Sequence, residues 1–305
     1  MRGPARRLSV YRARTISRER RTRAQIEQLD RQILDVLESD RPQSVRHLFY
    51  RMTDPRLPEP VEKSERGYRH VQHRCVKLRR AGLLPYGWIT DATRRGYFTP
   101  TYRDAGDFLR SVTGHYRSDL WEWSCHYVEV WVESRSLAGV VEDLCRELAV
   151  SLYPCGGFSS ITLAYEAAHY INSVAEADPE KLMHILYVGD YDPAGVLIDV
   201  ALERELSRHL AAEIDLTFAR LGITPEQIRE LNLPTKPRKV SDRRALHVEE
   251  TVEAEAMPAH LLRELLRRNI EVLLPEDALS AAKVAEESER EHLERMASLL
   301  EARVS

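Results

Sequence analysis

Three carboxylates and one tyrosine stand where their chemistry can be combined. Asp190 and Asp192 flank Tyr191 in the run Gly189-Asp-Tyr-Asp-Pro-Ala-Gly195, directly after the apolar stretch Ile185–Val188. Glu133 directly follows His126–Val132, whose Val128, Val130 and Val132 alternate as in a strand. In an extended chain residues i and i+2 point the same way, so both aspartates are expected to face one ion. A small set of hard oxygen ligands, with positions left for water and a substrate phosphate, suits Mg2+, and Mn2+ can substitute. Pro193 fits a first helical turn, and the N-terminus of that helix favours a bound phosphate. By itself an Asp-x-Asp is a weak signal, since carboxylates capping a helix produce the same pattern. The preceding strand, the following Pro-x-Gly and Glu133 at the end of an earlier strand make it specific.

The second group is Ser44-Val-Arg-His-Leu-Phe-Tyr50. Ser44 is an N-cap residue for a helix through Met52. On that helix Val45, Leu48, Phe49 and Met52 form one apolar arc, while Arg46 and Tyr50, at i and i+4, share a different flank. A tyrosine that only packs is expected on the arc. A phenol ionises near pH 10 and is a poor nucleophile at neutral pH. A neighbouring guanidinium favours the phenolate and also holds the phosphate under attack. A surface Arg–Tyr pair is the plain alternative. Tyr68, Tyr86 and Tyr97 lack this setting and read as core or stacking residues.

The elements that position these groups differ in charge. The first 103 residues carry a net +13 and the remainder −16, inside a whole-chain charge of −3. Only six of the 45 basic residues are Lys, which explains the choice of Arg but not the segregation of sign. A basic front beside an acidic rear points to a polyanion-binding module joined to one that handles metal. Residues 1–23 read as a basic arm. A helix is expected over about Thr15–Ser39, the short helix of Tyr50 follows, and Ser64 opens a third that Gly82 stops. The third helix puts Tyr68, Val71, Cys75 and Leu78 on one stripe and Arg66, Arg69, His73, Arg74, Lys77 and Arg80 on its other faces. Three helices followed by the turn-rich Leu83–Thr90 match a winged-helix module over 24–103, with those cations on DNA phosphates. A solvated helix face is the alternative.

Residues 104–124 read as linker plus helix. From 125 to 275 strands alternate with helices, which implies a parallel sheet with crossover helices, an α/β fold. The expected order is strand His126–Val132, helix Leu137–Leu148, strand Val150–Tyr153, a Gly156-Gly157 turn, helix Ser160–Val174, strand Ile185–Val188 and a helix from Pro193 to about Leu210. After Gly222 the chain reads as helical and polar, broken by the basic loop Pro234–Arg244, and 276–305 as a C-terminal helix. The three carboxylates then fall just beyond strand C-termini, where a parallel sheet presents its site.

That arrangement resembles the Toprim domain, a Rossmann-like parallel sheet found in topoisomerases, primases and some nucleases. A haloacid-dehalogenase-type phosphatase also uses Asp-x-Asp after a strand, but it expects a small residue and then Thr or Val where this chain has Pro193-Ala194. Arg46-His-Leu-Phe-Tyr50 in a winged-helix setting, followed by the Toprim Glu and Asp-x-Asp-Pro-x-Gly, resembles the topoisomerase VI A subunit and its relative that makes meiotic double-strand breaks. The similarity spans roughly residues 40–95 and 125–200, with a weaker echo at Glu253-Ala-Glu-Ala-Met257, and lies nearest the small standalone A-like proteins of bacteria and mobile elements. The resemblance implies that Tyr50 is the nucleophile, that Arg46 assists it, that Glu133, Asp190 and Asp192 hold the metal, and that Gly157 forms the turn after the second strand. It also implies a homodimer in which one subunit's tyrosine meets the other's metal. Where that family places Lys after the Toprim Glu, this chain has Ser134 and Arg135, and Arg135 is the replacement cation.

Three functions fit these residues. The first is DNA breakage by transesterification through Tyr50. The second is a Toprim nuclease that activates water, and the third a non-catalytic DNA-binding protein. The chain lacks a G-x-x-x-x-G-K-[ST] phosphate loop, so an ATP-driven cycle would need a separate ATPase subunit. No apolar run approaches a membrane span, and the Arg-rich start lacks a secretory core, so a cytoplasmic, nucleoid-associated protein is expected. Cys75, Cys125, Cys145 and Cys155 have no C-x-x-C spacing and read as reduced packing residues.

Overall fold

The computed structural model describes residues 21–90, 99–156, 161–239 and 242–301. Most of the expected basic arm, Tyr97 and Gly157 lie outside them.

Three helices form the front of the molecule: α1 (Arg23–Ser39), α2 (Val45–Met52) and α3 (Glu65–Arg80). Each opens on a hydroxyl cap. Thr22 makes a capping box with Gln25, and the Ser44 and Ser64 side chains accept from the backbone N–H groups of His47 and Gly67. The first helix therefore starts at Arg23, because Thr22 satisfies its leading N–H groups; residues 15–20 of the expected helix lie outside the described residues. Leu29, Ile33 and Leu37 of α1 meet Leu48 and Met52 of α2 and Val71, Cys75 and Leu78 of α3. Each such side chain contributes about 1.5–3 kcal/mol by leaving water. Gly82, at φ +72°, ends the α3 segment. After a short 3-10 turn at Tyr86–Trp88, Ile89 bridges back to Gln43.

The rear is a parallel sheet. Strands β1 (His126–Val132), β2 (Ser151–Pro154), β3 (Leu182–Val188) and β4 (Leu216–Gly222) lie in the order β2-β1-β3-β4. The fourth strand was not expected. Crossover helices α5 (Arg135–Glu147), α6 (Ile161–Ala177) and α7 (Gly195–Ser207) join them. Val128, Val130 and Val132 share one face with the core of α5, whereas Trp131, Ile185 and Tyr187 face Ile171 of α6 and Ile198 and Leu202 of α7. Both faces of β1 and β3 are thus covered, as central parallel strands require.

The remainder comprises α8 (Pro225–Glu230), the two-residue pair β5 (Lys236–Pro237) and β6 (Glu250–Thr251), a 3-10 turn at Ala254–Ala256, α9 (Ala259–Glu271) and α10 (Ala278–Glu301). Helix α10 packs on α4 (Ala105–Thr113), with Arg110 paired to Glu301 at 2.6 Å. The front helices do not form a separate core. Leu48, Phe49 and Met52 belong to the same apolar cluster as Ala254, Ala256, Met257 and the α9 residues Leu262 and Leu266. Asp40, almost fully buried, fastens the junction by pairing with Arg263 at 2.7 Å and His260 at 3.1 Å.

All four cysteines are free. Cys75, Cys145 and Cys155 are buried, but Cys125 is exposed and does no packing. Among the described residues no helix is long and apolar enough to cross a membrane.

Candidate active site

The loops leaving the C-terminal ends of β1 and β3 form one wall of an open cleft of about 860 Å³. Glu133 continues the β1 register by donating its N–H to Val188 O at 2.9 Å, and its carboxylate accepts from the Asp190 N–H at 2.8 Å. Asp190 Oδ1 accepts from the Ala254 N–H at 2.8 Å. Asp192 Oδ1 accepts from the N–H groups of Ala194 and Gly195 at 2.8 and 2.6 Å. Helix α7 starts at Gly195, two residues after the expected Pro193, and Asp192 Oδ1 holds the turn ahead of it, in the same cleft as the other two acids. The loop leaves no room for side chains at its glycines: a Cβ on Gly195 would lie 2.2 Å from Asp190 O, and one on Gly189 only 2.8 Å from Glu133 Oε2.

Arg220, on β4, holds this loop from beneath. It pairs with Asp199 at 2.6 Å and donates to the carbonyls of Gly195 at 2.7 Å and Gly189 at 3.2 Å, with the Asp190 carbonyl also in reach at 3.3 Å. Nothing in the sequence pattern singled it out.

The acids of the cleft repel one another. Burial, then repulsion from Glu133 and Glu255, pushes Asp190 up to about 8. Burial and the neighbouring Asp192 raise Glu133 as well, against the pull of the Asp190 N–H. Glu255, also buried, accepts from the hydroxyls of Ser134 and Ser136. Ser134 in addition caps α5 through the Leu137 N–H. Hard oxygens that repel one another in a cleft suit Mg2+ or Mn2+, which Glu133, Asp190 and Asp192 would hold. Among the described residues no three Asp, Glu, His or Cys side chains converge on one point as they stand. Each of the three acids has an oxygen on a backbone N–H.

Tyr50 lines the same cleft, together with Arg46, Arg135, Lys236 and Lys239. Two expectations about it need correction. The Tyr50 side chain does pack: it is 6% exposed and tilts against Phe49, because the turn Ala254–Ala256 covers the flank that α2 alone would leave open. Arg46 also favours its ionised form only in part. Its guanidinium bonds Glu253 at 2.5 Å and lies over the Tyr68 ring. Burial, followed by the Glu253 carboxylate, pushes the Tyr50 phenol well above its ordinary value, and Arg46 only partly opposes this. Lys236 instead donates to the phenol oxygen at 3.3 Å and to Glu253 at 3.0 Å. A second cleft, lined by Arg51, Arg56 and His260, lies on the other side of Tyr50.

Tyr50 and the three acids line one cleft of the chain. Glu253 and Glu255, which stand between them, were visible only as an acidic echo, and Lys236 only as part of a basic loop. Of the α3 cations, Arg66, His73, Lys77 and Arg80 are exposed, and Arg69 is exposed beside Glu65. Arg74 is turned inward onto Asp30 of α1 and is not presented to a phosphate. Tyr86 is exposed under Arg79.

Compared with protein-family models, curated proteins and solved structures, the chain matches none. Fold and cleft define an α/β protein with an acid-lined opening at the C-terminal edge of a four-stranded parallel sheet.

Proposed function

We propose that this protein breaks DNA by magnesium-dependent transesterification through Tyr50, as a winged-helix and Toprim protein similar to type IIB topoisomerase A subunits. The observation that carries this reading is that Tyr50, Glu133, Asp190 and Asp192 line one cation-rimmed cleft. A nucleophile, hard acids and phosphate-binding cations are the parts that phosphodiester exchange needs. Tyr50 Oη bonds to phosphorus, the P–O3′ bond breaks, and the chain is left on a 5′-phosphate. Magnesium held by the three acids would offset charge on the phosphate oxygens. The exposed cations of α3 and those around the cleft would hold the duplex backbone. A homodimer would place two such clefts on one duplex, and an ATP-driven cycle would call on a separate ATPase subunit.

The test mixes purified protein with supercoiled plasmid and Mg2+ or Mn2+, traps with detergent and digests with protease. Protein-blocked 5′ ends that vanish with Tyr50→Phe are the expected result. A second reading, metal-activated water attacking the phosphate, is favoured by the burial of Tyr50 and its raised pKa. In that case Tyr50→Phe cuts normally and leaves free ends.

A further inference from the structure

The Tyr50 hydroxyl is met by two groups outside the Arg-x-x-x-Tyr motif. Lys236 Nζ reaches both Tyr50 Oη at 3.3 Å and Glu253 Oε1 at 3.0 Å. Through that shared ammonium the Glu253 carboxylate is held beside the phenol, and its other oxygen accepts from Arg46 at 2.5 Å. Backbone structure builds this set. In the β5–β6 pair Lys236 stands opposite Thr251, whose hydroxyl donates to Lys236 O at 3.2 Å, and Glu253 follows two residues later. Lys63, ahead of α3, secures the same strand by donating to Thr235 O at 2.6 Å. The Asp190–Ala254 bond fixes the turn beyond Glu253.

Resting on the transesterification reading, we propose that Lys236 and Glu253 are catalytic residues of the same reaction: Glu253 accepts the Tyr50 proton, and Lys236 donates to the phenol oxygen as it becomes the nucleophile. An entering phosphate is an anion and competes with Glu253 for Arg46 and Lys236. As Arg46 moves to the phosphate, Glu253 loses a counter-charge and becomes a better base for the one proton it faces. The proton passes from Tyr50 Oη to Glu253, the O–P bond forms, the P–O3′ bond breaks, and the departing 3′-oxygen takes a proton from water. Glu253 then returns its proton to solvent. Lys236 also supplies a cation to the cleft of a chain whose Toprim Glu is followed by Ser134, which is committed to capping α5 and holding Glu255.

The test measures two quantities on the full chain with magnesium and a labelled duplex: the single-turnover rate of covalent adduct formation, and duplex affinity by fluorescence anisotropy. Lys236→Met and Glu253→Gln are each expected to slow adduct formation about a hundredfold, the scale of a lost proton acceptor or charged donor, while affinity stays within about threefold. Lys236→Arg should retain part of the rate, and thermal melting identifies a variant that fails to fold. Unchanged adduct rates overturn the proposal. So does a loss that parallels affinity, which would make Lys236 a phosphate holder only. Faster adduct formation in Glu253→Gln also overturns it, since Glu253 would then merely compete with the phosphate. These results leave the tyrosine chemistry standing. A wild-type protein that cuts without any adduct removes both readings together.

Discussion

Asp190 Oδ1 accepts a hydrogen bond from the backbone N–H of Ala254 at 2.8 Å, although 64 residues separate them. The bond fastens the acidic loop after β3 to the turn that carries Glu253 and Glu255. Because α2 packs on the same turn, the position of Tyr50 relative to the acids is set by backbone contacts rather than by long flexible side chains.

Asp190 makes stability depend on pH. Its carboxyl is pushed up to about 8, so the folded chain keeps a proton that the unfolded chain releases near the ordinary value of 3.8. The group is neutral to stability below that ordinary value, becomes unfavourable as pH rises, and levels off above about 8. Metal-free Asp190→Asn should therefore melt higher than wild type at pH 7.5, with the gap closing towards pH 4. Magnesium should raise the wild-type melting temperature more at pH 8.5 than at pH 6, and should do little for the Asn variant. Calorimetry across this range checks both, and a pH-independent gap would contradict the assignment.

Arg220 serves one charged partner and several carbonyls of the loop at once. Arg220→Ala leaves Asp199 without its cation and Gly195 O without its donor, which should cost roughly 3–5 kcal/mol. Urea denaturation measures the loss. Arg220→Lys, which cannot reach the same set, should recover only part of it.

The cations of α3 divide by orientation. Lys77→Ala and Arg80→Ala should each weaken duplex binding and reduce the salt dependence of affinity by about one unit of slope. Arg74→Ala should leave that slope unchanged and instead destabilise the fold, because Arg74 faces Asp30. Salt titrations by anisotropy separate the two classes, and an equal slope change at Arg74 would refute the division.

Tyr50→Phe should keep its fold. The ring stays in the same apolar surroundings, and one hydrogen bond from Lys236 is lost, so stability should change by about 1 kcal/mol or less. Adduct formation should disappear in the same sample. A variant that unfolds would show the hydroxyl to be structural.

The caps and the buried strands were legible because their signals are local. Ser44 and Ser64 announce helices on their own, β1 alternates its valines and β3 ends in the apolar run Ile185–Val188. Strand β4 was not, since it lies at a sheet edge, is only partly buried and carries Arg220 in its middle. The three acids were readable as residues after strands, but Asp192 holding the turn ahead of α7 is a choice between two partners that spacing does not decide. The flank of Tyr50 was misjudged for a related reason. A helical wheel separates the faces of α2 but does not show that a turn about 200 residues later covers the second one. Lys236 and Glu253 reach Tyr50 only through that tertiary contact, which neither the basic loop nor the acidic echo that contain them reveals.

A cleft that draws its tyrosine and its acids from a single chain has a kinetic signature. On the proposed chemistry, single-strand nicks would accumulate in proportion to protein concentration, whereas linear plasmid, needing two clefts on one duplex, would rise with its square at concentrations too low for copies to pair.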